Sequence, residues 1–229
     1  MTAAHVVLVH GANGSPSTWS SVTPLLDAYG LRWTLADLAM TSLRADEAAV
    51  RAIVDAVDGP VLLVGHSYGG AVITNAGTHE RVVGLVYAAA FAPDAGETVS
   101  GIVGAHEPAL VSRYMRRGPD GEWIAQDDDE ARRALAWDVP EDVFRTARAE
   151  GRITADAAFQ QPTGQPAWAS RPSWYVLATS DRHILPEIQR AFVTRMGADV
   201  TEVGTSHAVA HAAPEQVAAV VRRAAAAVA

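Results

Sequence analysis

Three residues in this sequence have the types and the order that nucleophilic catalysis needs: Ser67, Asp181 and His207. Ser67 is the centre of a Gly-x-Ser-x-Gly pattern, in which small neighbours let a strand turn sharply into a helix and expose the hydroxyl. A serine hydroxyl attacks efficiently only when an imidazole takes its proton, and the imidazole needs a carboxylate that orients it and stabilises its charged form. We therefore predict that Ser67 is the nucleophile, that His207 is the base and then the acid, and that Asp181 orients His207.

The context of Ser67 is more informative than the pattern, which a chain of this length contains by chance with a probability of roughly 0.1. The apolar run Val61–Val64 lies just before it and is typical of a strand buried on both faces of a parallel sheet. A helical pattern with Ala71, Val72 and Ala76 follows it. This order of strand, serine turn and helix predicts a nucleophile elbow.

Negative charge that develops on a substrate carbonyl oxygen needs two hydrogen-bond donors, which together form an oxyanion hole. We expect the backbone N–H groups of Tyr68, directly after the nucleophile, and of Ala12, in the turn-rich loop after the first strand, to supply them. Each donor is expected to contribute on the order of 3 kcal/mol of transition-state stabilisation.

Other residues could replace members of this predicted triad. Asp94 follows the strand after the elbow and could be the acid, although capping of a loop is its plainer role. His211 could be the base, but it lies four residues beyond His207, where the last helix is expected to begin, and a surface role suits it better. His10 and His66 flank the site, and we expect them to form hydrogen bonds within loops.

Two patterns resemble metal sites but lack a necessary part. His207 and His211 have the i, i+4 spacing of zinc ligands on a helix, yet the residues between them lack the glutamate of His-Glu-x-x-His. The acidic run Asp127–Glu130 lacks the alternation of a calcium loop and is expected to begin a helix. We therefore predict no metal site.

Strands and helices alternate on both sides of the elbow, and this alternation predicts an α/β fold with a doubly wound, mostly parallel sheet and right-handed crossovers. The carboxyl ends of parallel strands share one edge of a sheet, so the three predicted catalytic residues are expected to meet there. The predicted strands are His5–His10, Leu31–Leu35, the elbow strand that begins at Val61, Arg81–Ala90, Ser173–Thr179 and Asp199–Val203. Helices are predicted to begin after Ser42, at Pro186 and at Pro214.

The alternation breaks between about residues 92 and 171. We predict a single domain, 1–229, in which a mainly helical cap at about 92–171 is inserted between two parts of the core, 1–91 and 172–229. Only Glu130–Glu150 has a clear helical pattern there. Aromatic side chains of the cap could line a substrate pocket, and Trp123, Trp137 and Phe144 are the predicted substrate-binding residues, with Met115 and Phe159 as further candidates.

The composition limits the possible partners and location. The chain has 229 residues, 49% of them hydrophobic, which is enough for one sizeable core. A net charge of −8 without a cluster of Lys and Arg argues against nucleic acid or an anionic membrane as partner. The absence of cysteine excludes disulfides, thiolate metal sites and a cysteine nucleophile. No leader or membrane-spanning run is recognisable, so we expect a cytoplasmic protein, either a monomer or a dimer.

The chain resembles the α/β-hydrolase superfamily, and within it short bacterial esterase-like members. The resemblance rests on four motifs: His10-Gly-Ala12 with Trp19, Gly65-His-Ser67-Tyr-Gly-Gly70, Ala178-Thr-Ser-Asp181, and Ser206-His207-Ala-Val. It implies cofactor-free acyl transfer through a covalent acyl-enzyme, with a small or medium apolar carboxylic ester, lactone or thioester as substrate. Typical members have eight strands, and the first two have no counterpart here, which implies a reduced core of about six strands.

Departures from related families narrow the predicted chemistry. A serine at position 67 argues against epoxide hydrolases and dehalogenases, which attack through a carboxylate. Plant hydroxynitrile lyases carry a lysine after the histidine and a threonine in the oxyanion loop, where this chain has Ala208 and Ala12. Two alternatives stay open: carbon–carbon bond cleavage or a non-hydrolytic cyclisation in secondary metabolism, and a ligand receptor with a residual hydrolase site.

Overall fold

Six parallel strands form the central sheet of the protein, whose computed structural model describes residues 4–126 and 128–229. In spatial order the sheet is β2-β1-β3-β4-β7-β8, and every neighbouring pair is parallel. Two further strands form an antiparallel hairpin. The strands are β1 (His5–Val9), β2 (Trp33–Ala36), β3 (Val61–His66), β4 (Val82–Ala88), β5 (Met115–Arg117), β6 (Trp123–Ala125), β7 (Ser173–Ala178) and β8 (Asp199–Val203).

Both faces of the sheet are covered by hydrophobic clusters. Successive residues of each central strand point to opposite faces, so each strand contributes to both clusters. In β3, Leu63 packs in the hydrophobic cluster on one face, whereas Leu62 and Val64 pack in the cluster on the other. This two-sided burial explains why the central strands are almost continuously apolar rather than alternating.

The helices connect the strands and cover the two faces. In the part of the chain that the structure describes, no helix is long and apolar enough to cross a membrane. The helices are α1 (Thr23–Ala28), α2 (Leu43–Ala56), α3 (Tyr68–Ala76), α4 (Val99–Gly104), α5 (Asp129–Leu135), α6 (Glu141–Ala149), α7 (Asp156–Gln160), α8 (Pro186–Met196), α9 (Val209–Ala212) and α10 (Pro214–Ala227), with 3-10 turns at Pro16–Trp19, Leu110–Tyr114 and Ala167–Ala169.

The predicted α/β architecture and its six parallel strands are confirmed. The helix starts are also as predicted: the hydroxyl of Ser42 accepts the N–H of Ala45 at the start of α2, and prolines begin α8 and α10. The predicted bounds of the second strand, Leu31–Leu35, are wrong, because β2 begins at Trp33 and ends at Ala36. The N–H of Leu31 still donates to the carbonyl of Leu26 (3.0 Å), within the turn that ends α1.

The predicted helix Glu130–Glu150 is two helices, α5 and α6. Pro140 has no N–H and disfavours helical backbone at the residue before it, so the first helix cannot run into the second. Asp128 begins α5 by accepting the N–H of Ala131 at 2.8 Å, as expected for the acidic run, whose first residue, Asp127, lies outside the described residues.

The segment 92–171 contains α4–α7 and the β5–β6 hairpin. Of these elements, the sequence indicated only the helical stretch that forms α5 and α6. The hairpin strands have three residues each, too few for a periodic signal, and α4 contains two glycines. Hydrogen bonds join the segment to loops that follow β1, β7 and β8, so it packs against the carboxyl edge of the sheet. These bonds are Asn13 N–H to Thr154 Oγ1 (2.9 Å), Val111 N–H to the Arg182 carbonyl (3.1 Å) and Ser206 N–H to Asp138 Oδ2 (2.7 Å).

Candidate active site

Ser67 occupies a sharp turn between β3 and α3. Its backbone has φ 54° and ψ −124°, a conformation that a side-chain-bearing residue adopts only at a cost of about 1–3 kcal/mol. A Cβ at Gly65 would lie only 2.6 Å from the carbonyl oxygen of Gly69, so the turn can close only around glycine. The structure therefore contains the strained elbow that the Gly-x-Ser-x-Gly pattern predicts.

Asp181 and His207 form a buried pair at the same edge of the sheet. Asp181 follows β7, His207 follows β8, and His207 Nδ1 donates to Asp181 Oδ2 at 2.7 Å. Burial lowers the pKa of His207, which keeps its ring neutral at neutral pH and able to accept a proton. Burial raises the pKa of Asp181, while the neighbouring His183 and hydrogen bonds from backbone N–H groups oppose that rise.

The carboxylate of Asp181 is held by three further donors. Its Oδ1 accepts the N–H groups of His183 (2.7 Å) and Ile184 (3.1 Å), and its Oδ2 also accepts Gln189 Nε2 at 2.8 Å. The amide of Gln189 is fully buried and also binds the N–H of Ala178 and the carbonyl of Ile184. These bonds fix the direction of the carboxylate and hence that of the His207 ring.

Two contacts bring the elbow, the histidine loop and the loop after β1 together. His66, the residue before the serine, donates from Nε2 to the carbonyl of His207 at 2.9 Å. Gly11 lies so close to Ser67 that a Cβ added to it would be 2.7 Å from the serine Cβ. These contacts bring the elbow, the His207 loop and the Gly11–Ala12 loop together at the carboxyl edge of the sheet.

The two predicted oxyanion donors differ from most backbone groups around them. Tyr68 is the first residue of α3, and neither its N–H nor that of Ala12 has an acceptor within residues 4–126 and 128–229.

The Tyr68 side chain points into the core, where its hydroxyl donates to Asp46 Oδ2 at 2.9 Å. Asp46 is completely buried, and its Oδ1 accepts the N–H of Met40, so it anchors the start of α3.

Known proteins agree with this architecture. A sequence model of the alpha/beta hydrolase family matches residues 6–220. The chain belongs to the α/β-hydrolase family. A pyrethroid hydrolase of Sphingobium wenxiniae is 25% identical over 241 residues, a match that covers 95% of the chain and 86% of the relative. Salicylic acid-binding protein 2 of Nicotiana tabacum is 32% identical over 136 residues, and this match spans 52% of the chain and only 49% of that relative.

Solved structures show the same fold over the whole length of this α/β hydrolase. The structure of a pyrethroid hydrolase from Sphingobium faniae JZ-2 has a TM-score of 0.87 with 25% identity, and covers 99% of this chain and 98% of its own. A methylesterase from Arabidopsis has a TM-score of 0.78 at 21% identity and covers 97% and 99% of the two chains. The predicted superfamily is therefore confirmed.

The alternative acid and base of this hydrolase have other contacts. Asp94 caps its loop, because its Oδ1 accepts the N–H of Ala95 and its own N–H donates to Glu97 Oε2, both at 2.7 Å. The surface role expected for His211 is wrong: the residue lies in α9, before the last helix, and is half-buried. Its ring hydrogen-bonds to Ser21 Oγ (3.0 Å), and burial lowers its pKa.

His10 and His66 form loop hydrogen bonds, as predicted. Nε2 of His10 accepts the N–H of Leu38 at 3.1 Å, so its Nδ1 carries the proton and donates to the carbonyl of Gly11 at 2.9 Å. Nε2 of His66 donates to the backbone carbonyl of His207. Both rings therefore hold loops of the site together.

Asp181, His183 and His207 are grouped in the way that metal ligands are, with their donor atoms all within 4.8 Å of one another. The carboxylate of Asp181, however, already accepts four hydrogen bonds, and one of them occupies Nδ1 of His207. A cation would have to displace these donors, so the geometry favours an acid–base pair over a metal site. His183 itself is the feature of this group that sequence reasoning missed, although its position two residues after Asp181 could have drawn attention to it.

The predicted substrate-binding residues lie in different surroundings. Trp123 donates from Nε1 to Asp156 Oδ1 (3.0 Å) and packs edge-to-face on Phe159, which in turn packs on Tyr68. Trp137 is 38% exposed, with the guanidinium of Arg182 4.3 Å from the centre of one of its rings. Phe144 is half-buried on α6. A role in substrate binding stays a prediction for all three.

A cavity of about 490 Å³ lies away from these residues, between α4 and α8. Glu97, Ile102, Phe192 and Arg195 are among its lining residues, whereas Ser67 and the predicted substrate-binding aromatics are not. In the described part of the chain, this cavity is therefore separate from the candidate active site.

Proposed function

We propose that the protein is a serine hydrolase that cleaves a small or medium apolar carboxylic ester through an acyl-enzyme on Ser67. The observation that carries this proposal is the buried Asp181–His207 pair, 2.7 Å apart, at the sheet edge where the strained elbow presents Ser67. Membership of the α/β-hydrolase family supports it, as do a relative named as a pyrethroid hydrolase and a structural neighbour named as a methylesterase.

In the proposed reaction, Nε2 of His207 takes the proton of the Ser67 hydroxyl as its oxygen attacks the ester carbonyl. Asp181 stabilises the resulting imidazolium through the proton on Nδ1, and the N–H groups of Ala12 and Tyr68 bind the oxyanion. His207 then gives its proton to the departing alcohol, which leaves the acyl group on Ser67. A water molecule, deprotonated by His207, hydrolyses this acyl-enzyme and regenerates the serine.

The segment 92–171 acts as the cap in this proposal. It bonds to the loops of the carboxyl edge through Thr154, Val111 and Asp138, and it carries Trp123 and Trp137 near Tyr68 and the Asp181 loop. Its apolar side chains select the acyl or alcohol group that reaches Ser67.

Turnover of esters tests the proposal. We expect the wild type to hydrolyse nitrophenyl esters of graded acyl length, and the panel should include a pyrethroid because one relative is named for that substrate. Ser67→Ala removes the nucleophile and should lower kcat by about 10³-fold or more. Ser180→Ala is the matched control, because Ser180 is an exposed serine at the same sheet edge, and its kcat should stay within about twofold of wild type. Ester turnover that survives Ser67→Ala would overturn the proposal.

A further inference from the structure

The ring of His207 lies between two other imidazole rings. On one side His66 is tilted at 45° with its ring centroid 4.8 Å away, and this residue is already tied to the His207 carbonyl. On the other side His183 is nearly parallel, at 15° and 4.3 Å. Stacking this close covers the face of the proposed catalytic base with a side chain that the triad itself does not require.

His183 is held by stacking rather than by hydrogen bonds of its ring. Its Nδ1 is buried without a hydrogen-bond partner within the described residues, and it lies 4.0 Å from Asp181 Oδ1, beyond hydrogen-bond distance. The side chain is 29% exposed, so one part of the ring reaches the surface of the site while Nδ1 does not. A buried nitrogen without a hydrogen-bond partner lowers the stability of the fold, so the position of His183 needs an explanation other than stability.

The groups that face His183 keep its ring neutral. Burial is the main cause that lowers its pKa, well below the usual value, and the nearby His207, His66 and Arg148 lower it further, whereas Asp181 raises it. A neutral imidazole presents an electron-rich face, and a cation over such a face is stabilised. His207 becomes that cation only when it has taken the proton of Ser67.

We propose that His183 is a positioning residue for His207. The stacked ring of His183 stabilises the imidazolium that His207 becomes during ester cleavage. This inference rests on the proposed function. No proton moves to His183: the proton passes from Ser67 Oγ to Nε2 of His207 and then to the leaving alcohol. Because the stacking strengthens only when His207 is charged, it lowers the barrier without tightening substrate binding, and it acts on kcat rather than KM.

Replacement of the ring by an aliphatic side chain of similar bulk tests this proposal. In His183→Leu the cover over His207 stays but the π face is lost, so we expect kcat to fall about tenfold with KM within about twofold of wild type. The same loss of stabilisation lowers the pKa of His207, so the acid limb of the kcat/KM profile should move about one pH unit lower. His183→Phe restores an aromatic face and should stay within about threefold of wild type in kcat, with the acid limb unmoved.

A purely structural role predicts otherwise, because Leu and Phe fill the space equally well. Unchanged kcat and an unmoved acid limb in His183→Leu would overturn the proposal, while ester turnover by the wild type would leave the proposed function intact. If the wild type turns over no ester, the proposed function fails by itself, and an NMR titration of His207 in wild type and His183→Leu still decides whether the stack stabilises the imidazolium. Thermal unfolding is recorded for each variant, and His183→Gln replaces His183→Leu if the latter does not fold.

Discussion

The proposed chemistry of the site depends on a small number of buried polar groups, above all the carboxylate of Asp181 and the ring of His207. Asp181 has four donors around one carboxylate, and one of them is the imidazole it is proposed to orient. Neither Gln189 nor His183 is recognisable from sequence periodicity, since a buried glutamine has no distinctive spacing. The position of the three proposed catalytic residues at one sheet edge could be predicted because each follows a strand, but the groups that hold Asp181 and His207 in place could not.

Substitution of each candidate acid tests which of the two, Asp181 or Asp94, orients His207. Asp181→Asn keeps the shape of the side chain but removes the charge that holds the His207 tautomer and stabilises its cation, so we expect kcat for ester hydrolysis to fall by about 10³–10⁴-fold. Asp94→Asn is the matched control, since Asp94 caps a loop, and its kcat should stay within about twofold of wild type. Steady-state kinetics on one ester decides; a larger loss in Asp94→Asn would assign the acid to the strand after the elbow.

At the scale of elements, the prediction succeeded where long apolar runs are punctuated by glycine or proline. The elbow strand β3 and strand β7 follow this rule, and the helices that begin at Pro186 and Pro214 were located by their prolines. It failed in the segment 92–171, where elements are short and tertiary contacts decide the backbone. The break between α5 and α6 is such a case: Pro140 stops the pattern, and Asp138 in the break bonds to the loop of the proposed base.

Asp138 therefore links the proposed cap to the histidine loop. Its Oδ2 accepts the N–H of Ser206, the residue before His207, at 2.7 Å. In Asp138→Ala that buried N–H loses its acceptor, so we expect a loss of about 1–3 kcal/mol in the free energy of unfolding. The loosened loop should also lower kcat by about three- to tenfold.

Asp142→Ala is the control for this prediction, because Asp142 is an exposed acid on the neighbouring α6. Urea unfolding and ester kinetics on both variants give the comparison. Equal, small effects of the two substitutions would show that the Asp138–Ser206 contact does not position the base.

For the whole molecule, buried histidines dominate the expected response to acid. The pKa values of His10, His66, His183 and His207 are all lowered, chiefly by burial. The unfolded chain takes up protons at these rings below about pH 6.5 while the folded chain does not, so stability is lost as pH falls through 6.5. Each such ring contributes up to about 1.4 kcal/mol per pH unit in that range.

Two buried acids act in the opposite direction. Burial raises the pKa values of Asp46 and Asp181 above that of an unfolded aspartate, so their contribution is largest at low pH and declines as pH rises towards the folded pKa. Counting His5 and His211, whose pKa values burial also lowers, six histidines against two acids leave a net loss of stability on acidification. We expect the urea midpoint of unfolding to decrease as the pH is lowered from about 7.5 to about 5.5. A midpoint that stays constant or increases over this range would contradict the prediction.

The central claim is that Ser67 is an activated nucleophile, and covalent labelling tests it most directly. Intact-mass spectrometry after treatment with a fluorophosphonate should show one adduct on the wild type and on Ser180→Ala, and none on Ser67→Ala. A wild type without an adduct, or an adduct that persists on Ser67→Ala, would contradict the assignment of Ser67 as the nucleophile.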